Sequence, residues 1–148
     1  MKLIAAGMLS AVLLSLTGCS VPRVNGSGLE TAIVRRAAGE SIVHMAEVAP
    51  FAWDYVIISP PYSRPSGELR TRGVSFRAGD VPDRVWNDSR SFFMFVRGAD
   101  LVESFWIRRT EVDFGRSNLK VIYRTNDAVR AVRVDYPEFS VLHMEKVE

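Results

Sequence analysis

Few side chains in this 148-residue chain are of a type that does chemistry, and their spacing limits what they can do. There is one cysteine, Cys19, and there are two histidines, His44 and His143. Zinc takes three or four ligands with nitrogen or sulfur prominent, so two histidines on separate predicted strands fall short of a metal site. No G-x-S-x-G elbow is present to present a serine nucleophile, and the Gly-Ser-Gly at 26–28 reads as the start of a helix. Paired carboxylates for acid–base work could come from Asp80, Asp83 and Asp88, or from Glu103 and Asp113. Their predicted loop and strand-edge settings favour solvation or turn capping, and the aspartate spacing misses the calcium-loop pattern. Arg35-Arg36, Arg108-Arg109, and Arg124 with Arg133 are suited to bidentate contact with phosphate, against the plainer reading of a solvated, ion-paired face. The residues thus predict no catalytic set, no metal and no cofactor.

The first residues carry the strongest signal. Lys2 precedes an apolar run over residues 3–16, the layout of a secretory leader. Fourteen helical residues would span about 21 Å, short of the roughly 30 Å hydrocarbon core, so a permanent membrane span is disfavoured. The run closes on Leu16-Thr17-Gly18-Cys19. Ordinary leader cleavage prefers small residues one and three positions before the cut, and Leu16 is bulky. The tetrapeptide resembles the lipobox of bacterial lipoproteins. That resemblance implies cleavage before Cys19, a diacylglyceryl thioether on its sulfur, and attachment to a membrane through two or three acyl chains. One chain alone would hold weakly. In Gram-negative lipoproteins an aspartate after the cysteine commonly retains the protein at the inner membrane. Ser20 stands there instead, which favours the periplasmic face of the outer membrane.

Composition bounds the rest. Removing residues 1–18 from 148 leaves 130, enough for one domain with one core. Of 19 basic side chains only Lys2 is lost with the leader, leaving 18 against 17 acidic ones. A nearly neutral chain lacks the basic footprint that captures nucleic acid. With Cys19 lipidated, no disulfide can form within the chain, and eight Phe, three Trp and four Tyr must build the core.

Along the chain, residues 20–26 read as a tether. Seven residues cover roughly 13–16 Å, which keeps the domain near the bilayer. Ser27 and Glu30 match a capping box that opens a helix over 28–38, stopped by Gly39, the alternative being an extended stretch over Thr31 to Val34. A strand is predicted over 42–48 and another over 53–59, ended by Pro60-Pro61. A short helix over 65–72, closed by Gly73, is followed by a loop over 77–90. Residues 92–96, apolar on both faces, predict a strand inside a covered sheet, paired with 102–110. A further hairpin is expected between 119–124 and 128–136 about Asn126-Asp127. It would place Leu119, Val121, Tyr123, Val132 and Val134 on one buried face and Lys120, Arg124 and Arg133 on the other. Residues 140–147 add a last strand. The sum is α+β: a largely antiparallel sheet of five to seven strands with two short helices, in a single domain over 28–148 after a leader (1–18) and a lipidated cysteine with tether (19–27).

The most distinctive stretch is residues 51–62. Trp53-Asp54-x-Val56 and, later, Pro61-Tyr62 resemble the W-D-x-V/L…P-Y signature of a group of uncharacterised small bacterial lipoproteins, with Pro60 where that pattern has glycine. There a glycine-ended helix and a Phe-Val strand follow, matching Gly73 and Phe95-Val96. The resemblance implies location and architecture, not an activity. Asp54 is suited to accept an indole or backbone N–H and pin the strand's start. Trp53, Asp54, Pro61 and Tyr62 then form either a core staple or an exposed rim for a ligand or peptide. The expectation is a lipid-anchored, non-enzymatic envelope module, attached to the membrane through Cys19 and binding or scaffolding an envelope protein. The alternatives are an envelope hydrolase and a carrier of a small ligand or lipid.

Overall fold

A computed structural model describes residues 26–114 and 119–147, with the side chains of Gly26 and Ser27 excepted. The leader, Cys19 and residues 20–25 of the tether lie outside the described residues. Eleven elements are described in chain order: α1 (Gly26–Gly39), β1 (Ile42–His44), α2 (Met45–Val48), β2 (Tyr55–Ser59), α3 (Pro65–Thr71), β3 (Arg90–Arg97), β4 (Asp100–Arg108), β5 (Val112–Asp113), β6 (Val121–Tyr123), β7 (Ala128–Asp135) and β8 (Ser140–Lys146). They make one domain of mixed helix and strand, with two four-stranded sheets in the orders β1-β7-β8-β5 and β4-β3-β2-β6. Every pairing is antiparallel except β5 with β8.

The second sheet is the centre of the molecule because β3 is apolar on both faces, with Ser91 through Val96 all buried. Strand periodicity sends its residues into two different cores. Phe93 and Phe95 face one cluster, with Val56, Ile58, Phe105 and Ile107 from neighbouring strands. That cluster is closed by Leu29, Ile33 and Ala37 of α1 and by Val43, Val112, Val129 and Met144 of the first sheet. The 3.6-residue spacing of the α1 residues puts them on one face of the helix. Phe92, Met94 and Val96 face the other cluster with Ile57, and Leu69, Val74, Val81 and Val85 cover them. The predicted loop over 77–90 is therefore also the lid of the second core: up to residue 89, before β3 begins at Arg90, it carries neither helix nor strand, yet buries two valines.

Several expectations need correction. One sheet of five to seven strands becomes two sheets of four, and two helices become three. The strand expected over 42–48 stops at His44, and a single helical turn, α2, follows. The reason lies far away in sequence. Asp127 offers its carboxylate to the Ala46 N–H at 2.7 Å and its carbonyl to the Met45 N–H at 3.2 Å, capping that turn from outside.

The hairpin about Asn126-Asp127 does not form. β6 pairs with β2 in one sheet and β7 with β1 and β8 in the other, so the turn carries the chain between sheets. As a result Ile122, not Val121 or Tyr123, enters the first cluster, while Tyr123 is 53% exposed. The helix expected over 28–38 begins at Gly26, which removes Ser27 from the cap position. Glu30 accepts the Arg108 backbone N–H at 3.0 Å instead of closing a capping box.

Candidate functional site

β2 positions the four residues singled out at its flanks, and it separates them. Trp53 is 1% exposed and meets the Phe95 ring edge-on at 5.3 Å, so it belongs to the core and not to an exposed rim. Asp54 pins the strand's start. Its carboxylate accepts the Gly98 N–H at 2.7 Å, its own N–H reaches the Val96 carbonyl, and its carbonyl receives the Arg124 N–H. The turn it holds depends on glycine, since Gly98 has φ +57°. Pro61 is half-buried and Tyr62 is 60% exposed, both beyond the far end of β2. At about 3.3 Å per residue, β2 puts Asp54 and Ser59 roughly 17 Å apart, with Pro61 and Tyr62 following Ser59 and Trp53 buried in the core, so the four do not converge on one ligand.

The Tyr62 end is where a binding surface does form. Tyr62 has φ +63°, a left-handed conformation that costs a residue with a Cβ about 1–2 kcal/mol. The surroundings hold it there. Its N–H donates to the Val85 carbonyl at 2.7 Å, and the Val85 N–H returns to the Ser63 carbonyl at 3.0 Å. Ser66, buried, donates its hydroxyl to Asp83 at 2.7 Å. These bonds tie residues 62–66 to 82–85 and shape an open groove of about 590 Å³ lined by Arg64, Ser66, Arg70, Asp83, Arg84 and Trp86. Three guanidinium groups face one carboxylate. Arg70 lies 3.8 Å from Asp83, with both side chains solvated. Arg84 stacks on the Trp86 ring at 4.3 Å, and its buried Nε has no hydrogen-bond partner among the described residues. Arg64 makes no ion pair among the described residues. Trp86 is 71% exposed, an unusual setting for so large an apolar ring.

Replacing Tyr62 with glycine removes the left-handed strain, offset in part by about 0.5–1 kcal/mol from glycine's freer unfolded chain. Tyr62→Gly is therefore expected to match or exceed the parent's stability, by no more than about 1.5 kcal/mol, in urea unfolding. A loss larger than that would mean that the tyrosine ring holds the loop.

The arginines anticipated for phosphate contact are mostly engaged elsewhere. Arg36 pairs with Glu40 and Glu47, Arg108 with Glu30 and Glu111, Arg109 with Asp113, and Arg133 with Asp135. Arg124 donates to the Phe51 carbonyl at 3.2 Å and lies 5.4 Å from the Trp53 ring. Sequence reasoning missed Arg64, Arg70 and Arg84 because they meet only where residues 62–66 bond to residues 82–85. The available signal was Arg84-x-Trp86 in a loop rich in turn residues.

The carboxylates considered for acid–base work form two loose sets. Asp80 and Glu103 share a shallow groove of about 260 Å³, where Glu103 accepts the Ser104 N–H and the Ser104 hydroxyl donates to the Asp80 carbonyl. Asp88 and Asp113 line another of about 300 Å³ with Arg109 and His143, but both Asp113 oxygens are held by Arg109. His44 lies 3.1 Å from Asp127, on β1, with β7 between it and His143 on β8. No three His, Cys, Asp or Glu side chains gather to hold a metal among the described residues. Comparison with known protein families, curated proteins and solved structures finds no match to this chain.

Proposed function

We propose that this protein is a lipid-anchored module of the bacterial cell envelope that binds or scaffolds an envelope partner without catalysing a reaction. The observation that carries this reading is Leu16-Thr17-Gly18-Cys19 at the end of a short apolar run. Two features of the domain support it. α1 begins seven residues after Cys19, a tether of roughly 13–16 Å that keeps the domain at the membrane surface. Two of the carboxylates considered for acid–base work have structural duties instead: Asp83 accepts the Ser66 hydroxyl and Asp113 clasps Arg109. Ser20 favours the periplasmic face of the outer membrane in an organism that has one.

Fractionation of cells tests the reading. The native protein is expected with the membranes and Cys19→Ser in the soluble fraction. Crosslinking in intact cells is expected to recover one envelope protein reproducibly with the native form. A Cys19→Ser protein that stays with the membranes, or a native form crosslinked to nothing in growing and stationary cells alike, would contradict it.

A further inference from the structure

The groove beyond β2 and the start of α1 lie at the same end of the central sheet. Ser59, the last residue of β2, is opposite Phe92 near the start of β3, and Arg90 of β3 is opposite Arg108 at the end of β4. Arg108 in turn gives its backbone N–H to Glu30, in the second turn of α1. Residues 60–67 leave the sheet at this end and residues 82–86 approach it there, so the groove they form shares this end with the start of α1, the two lying over opposite faces of the sheet. A short tether would turn this end, and not the opposite one carrying Arg97 and Gly98, toward the bilayer.

Its chemistry suits that position. The groove brings together Arg64, Arg70 and Arg84 against Asp83 alone, with one guanidinium Nε unpartnered among the described residues. Guanidinium groups take phosphate oxygens in paired hydrogen bonds, and a negative membrane surface attracts basic residues within a Debye length, about 8 Å at physiological salt. Exposed tryptophan is favoured at the headgroup level, where its ring meets acyl chains and its N–H meets polar groups. Trp86 has that exposure and projects beside the arginines.

We propose that Arg64, Arg70, Arg84 and Trp86 dock on the phosphate groups of anionic phospholipid, orienting the domain on the bilayer that holds it. This rests on the lipid-anchor reading. The anchor attaches the protein, and the groove decides which face looks outward.

The test uses the full native protein reconstituted into phosphatidylcholine vesicles with or without phosphatidylglycerol, with brominated acyl chains as quenchers. Trp86→Phe identifies the part of the emission that belongs to residue 86. That part is expected to be quenched several-fold more when phosphatidylglycerol is present, and to recover in high salt and in Arg64→Gln/Arg70→Gln. Both arginines are exposed, so the double variant is expected to melt with the parent. Arg97→Gln, at the far end of the sheet, is expected to keep the quenching. Equal quenching in both vesicle types, or none, would overturn the proposal. So would an emission change produced by inorganic phosphate in neutral vesicles, which would reassign the groove to a free anion, or a protein crosslinked to residue 86 in cells. Flotation with neutral vesicles reads the anchor separately. A protein that floats without quenching overturns the groove alone, and one that does not float overturns both.

Discussion

Replacing Asp113 with alanine is expected to lower the free energy of unfolding by about 3–5 kcal/mol, a large share of what a domain of this size possesses. Arg109 grips Asp113 in a fork, Nε to one oxygen at 2.8 Å and Nη2 to the other at 3.0 Å, while Nη1 donates to the Asp88 carbonyl at 2.7 Å. The aspartate side chain is 7% exposed and the arginine 24%. Both are drawn out of water, and the Asp113 hydrogen bond holds the guanidinium above its ordinary pKa. Removing one partner leaves the other charge poorly solvated, which is why the cost is large. The fork also joins the end of β4 to β5, the point where the chain passes from the central sheet to the other one. Urea unfolding measures the loss. Arg109→Met/Asp113→Leu is expected to regain most of it, because no lone charge is left behind. A loss below about 1 kcal/mol for Asp113→Ala would show that the pair behaves as a surface salt bridge.

Phe95→Ala is the second large effect. Phe95 is fully buried at the middle of β3, with Phe51 and Trp53 edge-on at 5.3 Å each and Phe105 near-parallel at 6.1 Å. Truncation leaves a cavity walled by three aromatic rings that cannot collapse together, and a loss of about 3–5 kcal/mol is expected. The near-ultraviolet circular dichroism of Trp53 is expected to weaken in the same variant, since its ring would lose its edge-on partner. An unchanged signal with a loss under about 1 kcal/mol would mean that the cluster repacks and that β3 is not the keystone of the core.

What the chain's residues reveal directly is local. Alternation and β-branching locate β2, β3, β4 and β8, and Pro65 with Gly73 brackets α3. The two-faced apolar run of β3 foretells its central place. Pairing is not local, and there the reading fails. Asn126-Asp127 carries the signal of a tight turn, and the chain does turn there, but the strands on either side belong to different sheets. The cap that Asp127 supplies to α2 joins residues more than eighty apart, and no window along the chain can register it. Trp53 and Tyr62 make the same point. Both are aromatic and both flank β2, yet one is buried and the other exposed. The arginine groove was hidden for this reason, being assembled by two backbone hydrogen bonds between residues 62–63 and 85.

The account stands on Cys19. Intact-mass spectrometry of the native protein extracted from membranes tests it most directly. The predicted result is a chain beginning at Cys19, heavier than the polypeptide by a diacylglyceryl group and, in most bacteria, one further acyl chain. A free thiol at Cys19, with the leader still attached or cut elsewhere, would contradict it.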